Sequence, residues 1–144
     1  MASKLYGSFI AKSLNKEIDW DSDTIKVALV ASTYTPDQDA HDYYDDVVAD
    51  QVSGTGYTAG GATLASKTVS YSGGTNKLVL DAADVTWSAS TITARYAIVY
   101  DAQTGVNSTS PLIGYVDFGA DQSSSSGNFT ITWDVNGIVE FTVA

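Results

Sequence analysis

The chain has 144 residues, with 17 acidic against 7 basic side chains, a formal net charge of −10, and no cysteine. That balance leaves no basic stripe to neutralise phosphates and disfavours anionic membranes, so nucleic-acid and membrane-surface partners are excluded. Without Cys there is no disulfide framework, thiolate nucleophile or cysteine-based zinc site, and a content of 44% hydrophobic and 17% charged residues is too apolar for a disordered chain.

The length suits one domain over residues 1–144. The opening M-A-S-K-L-Y-G-S-F-I-A-K-S-L lacks the apolar core of a signal peptide, and no run approaches the length of a membrane span. Synthesis in the cytoplasm is therefore expected. Leu5, Phe9 and Leu14, with Tyr6 and Ile10 beside them, predict a short helix over residues 3–15. Ser3 is its candidate N-cap, and Gly7 weakens it by about 1 kcal/mol relative to Ala. After the polar turn I-D-W-D-S-D-T, the β-branched run I-K-V-A-L-V-A (25–31) predicts a strand buried on at least one face. Residues 36–50 are an acidic block in which Tyr43, Tyr44, Val47 and Val48 make one apolar helical face, so a second short helix is expected near 40–50.

From residue 52 the pattern changes to strands and turns. Thr63–Lys67 and Val69–Ser72 precede the turn Ser72-Gly73-Gly74-Thr75, and Lys77–Asp81 reads as the returning strand of a hairpin. Thr86-Trp87 follows a turn. Thr91–Tyr100 is the strongest strand, with Ile92, Ala94, Tyr96, Ile98 and Tyr100 expected on one face. Pro111–Phe118 predicts another strand, and Gly119–Asn128, with its serine run, predicts a loop. Phe129–Trp133 and Ile138–Val143 flank Asn136-Gly137 and predict a closing hairpin. The fold class is mainly β: an antiparallel sandwich or barrel-like sheet pair with two short helices.

Four places invite a chemical reading. V-S-G-T-G-Y-T-A-G-G (52–61) resembles a nucleotide loop, but it lacks the Lys-Ser/Thr pair and has Ala59 where a dinucleotide fingerprint needs Gly. The following A-T-L-A-S-K-T prefers a strand, which offers no helix N-terminus to an anion. The loop is expected to turn a corner. Asp19, Asp21 and Asp23 alternate as in a calcium loop, yet Thr24 and Val30 stand where an EF-hand needs Gly and Glu. The bland reading is an Asx turn over a packed Trp20. His41-Asp42 holds the single histidine, but no nucleophile-bearing turn accompanies it. Glu17 and Glu140, at element ends, do not mark a catalytic carboxylate pair. No cofactor and no catalytic residue is assigned. The aromatic residues Trp20, Trp87, Trp133 and nine Tyr read as core packing, or as sugar-stacking or interface groups on a β surface.

I-D-W-D-S-D-T-I-K-V-A-L-V (18–30), S-G-T-G-Y-T-A-G-G-A-T-L (53–64), V-T-W-S-A-S-T-I-T-A-R-Y-A-I-V-Y (85–100) and S-P-L-I-G-Y-V-D-F-G (110–119) together resemble a family of small tailed-bacteriophage structural proteins. The likeness runs from about residue 4 to residue 143. It implies a non-enzymatic virion component, assembled in the host bacterial cytoplasm, and most closely a decoration (cement) protein that binds and stabilises the outside of the head. A tail- or fibre-associated receptor-binding module is the alternative, and a hydrolase the third reading. The implied partner is the major capsid protein or another virion protein. Homo-oligomers, such as trimers on three-fold axes, are expected. Residues 1–16, with Lys4, Lys12 and Lys16, are the candidate arm on a β body of residues 17–144. Tyr57 in the glycine loop is a further candidate interface residue.

Overall fold

A computed structural model describes residues 2–143. Among the described residues, eight strands form two antiparallel sheets. In chain order they are β1 (Ala2–Leu5), β2 (Ile25–Val30), β3 (Ala62–Thr63), β4 (Thr68–Ser72), β5 (Lys77–Asp81), β6 (Val85–Asp101), β7 (Leu112–Ile131) and β8 (Val139–Thr142). The larger sheet has the order β1-β7-β6-β2-β3 and the smaller one β4-β5-β8. Helix α1 (Phe9–Leu14) follows β1, and single 3-10 turns occupy Tyr44–Asp46, Val48–Asp50 and Asn107–Thr109. No helix among the described residues is long and apolar enough to cross a membrane.

The run I-K-V-A-L-V becomes β2 because both of its faces are buried. Ile25, Val27 and Leu29 point into a core shared with Leu80 and Val139 of the smaller sheet, and with Phe9, Trp20 and Trp87. Ala28 and Val30 point the other way, into a second core with Tyr6, Tyr34, Tyr44, Val47 and Leu112. Full burial of each such aliphatic side chain stabilises by roughly 1.5–3 kcal/mol. The larger sheet is thus covered on one face by the smaller sheet and on the other by the segment that follows β2.

Strand β6 reaches both cores through a change of parity. Ile92 and Ala94 lie in the first core, but so do Ala97 and Val99. A register shift between Ala94 and Tyr96 inserts the extra residue that moves Ile98 and Tyr100 to the second core. The uniform face expected over Ile92–Tyr100 is therefore broken by a bulge, whose added residue inverts the alternation beyond it.

Other expectations are corrected. Residues 3–5 are strand, because the edge of β7 captures them (Ser3 opposite Val116, Leu5 opposite Gly114) and pairing overrides local helical spacing. The helix starts only at Phe9, and Ser3 caps nothing. Thr86-Trp87 is not separate, since β6 is continuous from Val85. Gly119–Asn128 is not a loop but the middle of β7, held by cross-strand hydroxyl pairs. Ser90 meets Ser124 at 2.7 Å, Thr93 meets Ser123 at 2.7 Å, and Thr86 meets Thr130 at 2.9 Å. The closing hairpin does not form. Trp133 is fixed to the β5–β6 connection by Nε1–H donating to the Ala83 carbonyl at 3.0 Å, and the Asn136-Gly137 turn delivers β8 to β5 in the other sheet. The hairpin of β4 and β5 forms as expected, with Ser72 opposite Lys77.

Candidate functional site

The glycine loop leads into β3, not into a helix. Gly54 and Gly61 have φ of +156° and +77°, and a Cβ there would lie 2.2 Å from the Thr91 carbonyl oxygen and 1.9 Å from that of Val27. Only glycine lets the loop press this closely against β6 and β2. Gln51 organises the loop. Its Oε1 accepts from the Tyr44 hydroxyl (2.9 Å), the Tyr57 hydroxyl (3.1 Å) and the Gly60 N–H (2.5 Å). The Tyr57 hydroxyl also accepts the Leu29 N–H at 3.0 Å, closing the outer edge of β2, and Tyr100 donates to the Gly60 carbonyl at 2.8 Å. Burial pushes the Tyr44 and Tyr57 phenols above their ordinary range and Tyr100 up to about 12, which keeps all three as donors at neutral pH. The Gly60 and Gly61 amides, which a phosphate would need, are bound to Gln51 and to the Thr58 carbonyl. Tyr57 is half-buried, tilted against Trp87, with its hydroxyl engaged inside the chain.

The Asp19–Asp23 segment is a self-capped turn. Asp19 Oδ1 accepts the N–H groups of Asp21 and Ser22, both at 3.1 Å, and Asp23 Oδ2 accepts the Asp19 N–H at 2.9 Å. Hydrogen bonds from Ser22 hold the Asp19 carboxyl below its usual range. Trp20 is buried beneath the turn, and Lys67 Nζ donates to the Asp23 carbonyl. Among the described residues no group of three or more His, Cys, Asp or Glu side chains is placed to hold a metal ion. Beside this turn lies an acid that no sequence motif marks. Asp101 is 1% exposed at the end of β6; its Oδ1 accepts the Gln103 N–H at 2.8 Å, and its Oδ2 has no hydrogen-bond partner. Burial, reinforced by the neighbouring Asp23 carboxyl, pushes Asp101 up to about 7.

The N-terminal residues are part of the β body. Lys4 is exposed on β1, and Lys16 is exposed beyond α1 with φ +63°. Lys12 is buried. Its Nζ donates to the Asp42 carbonyl (2.9 Å) and carboxylate (3.1 Å) and sits 3.1 Å from the centroid of the Tyr43 ring. It therefore ties α1 to the acidic segment, and residues 2–16 do not form a free helical arm. His41 also works inside the fold: Nδ1 accepts the Asp37 N–H (3.3 Å) and lies 2.8 Å from the Tyr34 hydroxyl, which in turn contacts Tyr6 at 2.8 Å. Since a backbone N–H only donates, Nδ1 is the acceptor in this contact. The acids of the block cap turns: Asp46 Oδ2 accepts the Asp42 N–H at 2.9 Å, and Asp37 Oδ1 accepts from Asp39 and Ala40, both at 3.0 Å.

Trp20 and Trp87 are buried, and Trp133 is half-buried with its indole N–H engaged, so the exposed large aromatic is Tyr71, at 56%. A cleft of about 370 Å³ opens between β1 and the β7–β8 connection, rimmed by Lys4, Tyr115, Asp134 and Glu140. A shallower one of about 480 Å³ runs along β7 past Phe118 and Phe129. Gln51 could have been singled out only as the polar residue just before the glycine loop. Asp101 could have been noticed as an acid directly continuing the apolar run Ala97–Tyr100. A scan against protein-family models, a search of curated proteins and a search of solved structures each return no match to this chain.

Proposed function

We propose that this chain is a non-enzymatic bacteriophage virion protein that decorates the outside of the head and stabilises it, with the major capsid protein as its partner. The reading rests on the resemblance of the four segments 18–30, 53–64, 85–100 and 110–119. One observation carries it further: these segments lie side by side. They supply β2, the glycine loop with β3, most of β6 and the start of β7, four contiguous strands of the larger sheet. The likeness is therefore to a framework and not to a reacting group. The internal engagement of the His41, Asp19, Tyr57 and Lys12 side chains also supports a structural role.

The test is copy number per particle, measured by quantitative mass spectrometry of purified virions against the major capsid protein. Copies comparable with the shell subunits are the expected result. A few tens would move the protein to the tail or a vertex. Absence from the particle would overturn the reading. Deletion of residues 1–16 is a poor probe of docking, since it removes β1 and the buried Phe9. Charge reversal at the exposed Lys4 and Lys16 probes the same surface and leaves the core intact.

A further inference from the structure

We propose that the outer edge of β4 pairs antiparallel with β4 of a second copy, giving a two-fold dimer with one continuous six-stranded sheet. The inference goes beyond the virion reading and does not depend on it. β4 ends the smaller sheet, and all five of its residues are exposed. Natural edges are usually blunted by charge, proline, bulges or shortness. The other edges of this molecule follow that rule: β1 carries Lys4, β8 carries Glu140, and β3 is only two residues long. The sequence of β4, T-V-S-Y-S, has no charge and no proline.

The sequence is also self-complementary. In an antiparallel pair centred on Ser70, Ser70 meets its own copy, Val69 meets Tyr71, and Thr68 meets Ser72. Both Val69–Tyr71 pairs are of the aromatic with β-branched type, and both Thr68–Ser72 pairs join hydroxyls; each kind stabilises a sheet. The register to β5 and β8 extends these rows. Val69 lies beside Leu80 and then Val139, and Tyr71 lies beside Leu78 and then Phe141. Pairing therefore joins Val139–Leu80–Val69 of one copy to Tyr71–Leu78–Phe141 of the other in an unbroken apolar row, and does so twice. In a lone chain Val69 and Tyr71 are left 49% and 56% exposed at the ends of these rows.

Charge points to the same occupant. Two copies of a chain with net charge −10 repel over most of their surface, but Lys67 to Asp81 holds two lysines and one aspartate. The acidic excess lies elsewhere. The centred register places Lys67 opposite Gly73, so no like charges face each other. A shift of two residues would set Lys67 against Tyr71 or Val69 against Gly73, losing an apolar pair.

The chain has no cysteine, so a single introduced one reports the register. Cα atoms directly opposite in an antiparallel pair are about 4.5–5.5 Å apart, within the range a disulfide spans. Under mild oxidation Ser70→Cys is expected to give a covalent dimer. Thr68→Cys and Ser72→Cys are each expected to form no covalent dimer alone and to cross-link when mixed. Light scattering of the native chain should give twice the 15.2 kDa chain mass. Val69→Lys with Tyr71→Lys should return a single chain mass with an unchanged circular dichroism spectrum. A native monomer or trimer at the highest soluble concentration would overturn the proposal. So would cross-linking of Ser72→Cys as readily as Ser70→Cys.

Discussion

On one face of the larger sheet Ile25, Val27, Leu29, Ala97 and Val99 meet Leu80 and Val139 of the opposing sheet. On the other, Ala28, Val30, Ile98 and Tyr100 meet Tyr6, Tyr34, Tyr44 and Val47 from segments with almost no regular structure. The first face is a sheet-on-sheet contact whose strength follows buried area and is indifferent to direction. The second holds an irregular segment by ring geometry and hydroxyls. Tyr44 stacks on Tyr100 with centroids 4.0 Å apart and planes within 7°, and its hydroxyl reaches Gln51. A tyrosine suits this work because its ring buries area while its hydroxyl satisfies a polar partner. The aliphatic face holds the sheets together, and the tyrosine face fixes where the chain between β2 and β3 lies.

The contrast can be broken from either side. Leu29 is fully buried, so Leu29→Ala removes apolar contact and leaves a cavity, for an expected loss of about 3 kcal/mol. Denaturant melts should show a lower midpoint with an unchanged slope. Gln51→Ala removes one acceptor shared by three donors and is expected to cost about 2 kcal/mol. Its signature is local: amide exchange should accelerate over residues 54–61 well before the β6 and β7 amides respond.

Asp101 gives an effect whose size is set by pH. Its folded value near 7 lies above its ordinary value of 3.8. Between these values the folded chain holds a proton that the unfolded chain has released, so this group's contribution falls as pH rises from about 4 to about 7. Asp101→Asn removes the penalty. It should stabilise above pH 7 and change little at pH 4, flattening the pH profile of the melting temperature.

Much of the β framework is legible in the sequence where a local pattern and its tertiary use coincide. β2 is marked by its β-branched run, and the β4–β5 hairpin by Gly73-Gly74 between two strand-like segments. The pattern misleads where the partner decides. Ser123–Ser126 reads as a loop because serine is common in loops, and nothing local reveals Ser90 and Thr93 waiting across the sheet. Asn136-Gly137 turns the chain in the same way whether the next strand returns to its neighbour or crosses to another sheet, and only Trp133 anchored on Ala83 decides that. Lys12 reads as one charge of a basic arm until Asp42 and Tyr43 close around it. The candidate chemistry in the glycine and aspartate loops resolves similarly, because their hydrogen-bond partners are remote residues or backbone groups that spacing alone does not place.

The length of β6 has a hydrodynamic consequence. Seventeen residues in one strand span up to about 55 Å, while a compact chain of this size has a radius of gyration near 15 Å and so a diameter of roughly 38 Å. With β7 running alongside, the long axis of the molecule exceeds that of an equivalent sphere. Such a body tumbles anisotropically and elutes early from a sizing column, so a single chain will run ahead of its true mass. Light scattering and sedimentation equilibrium, which weigh the particle without assuming its shape, are the methods that distinguish one chain from two.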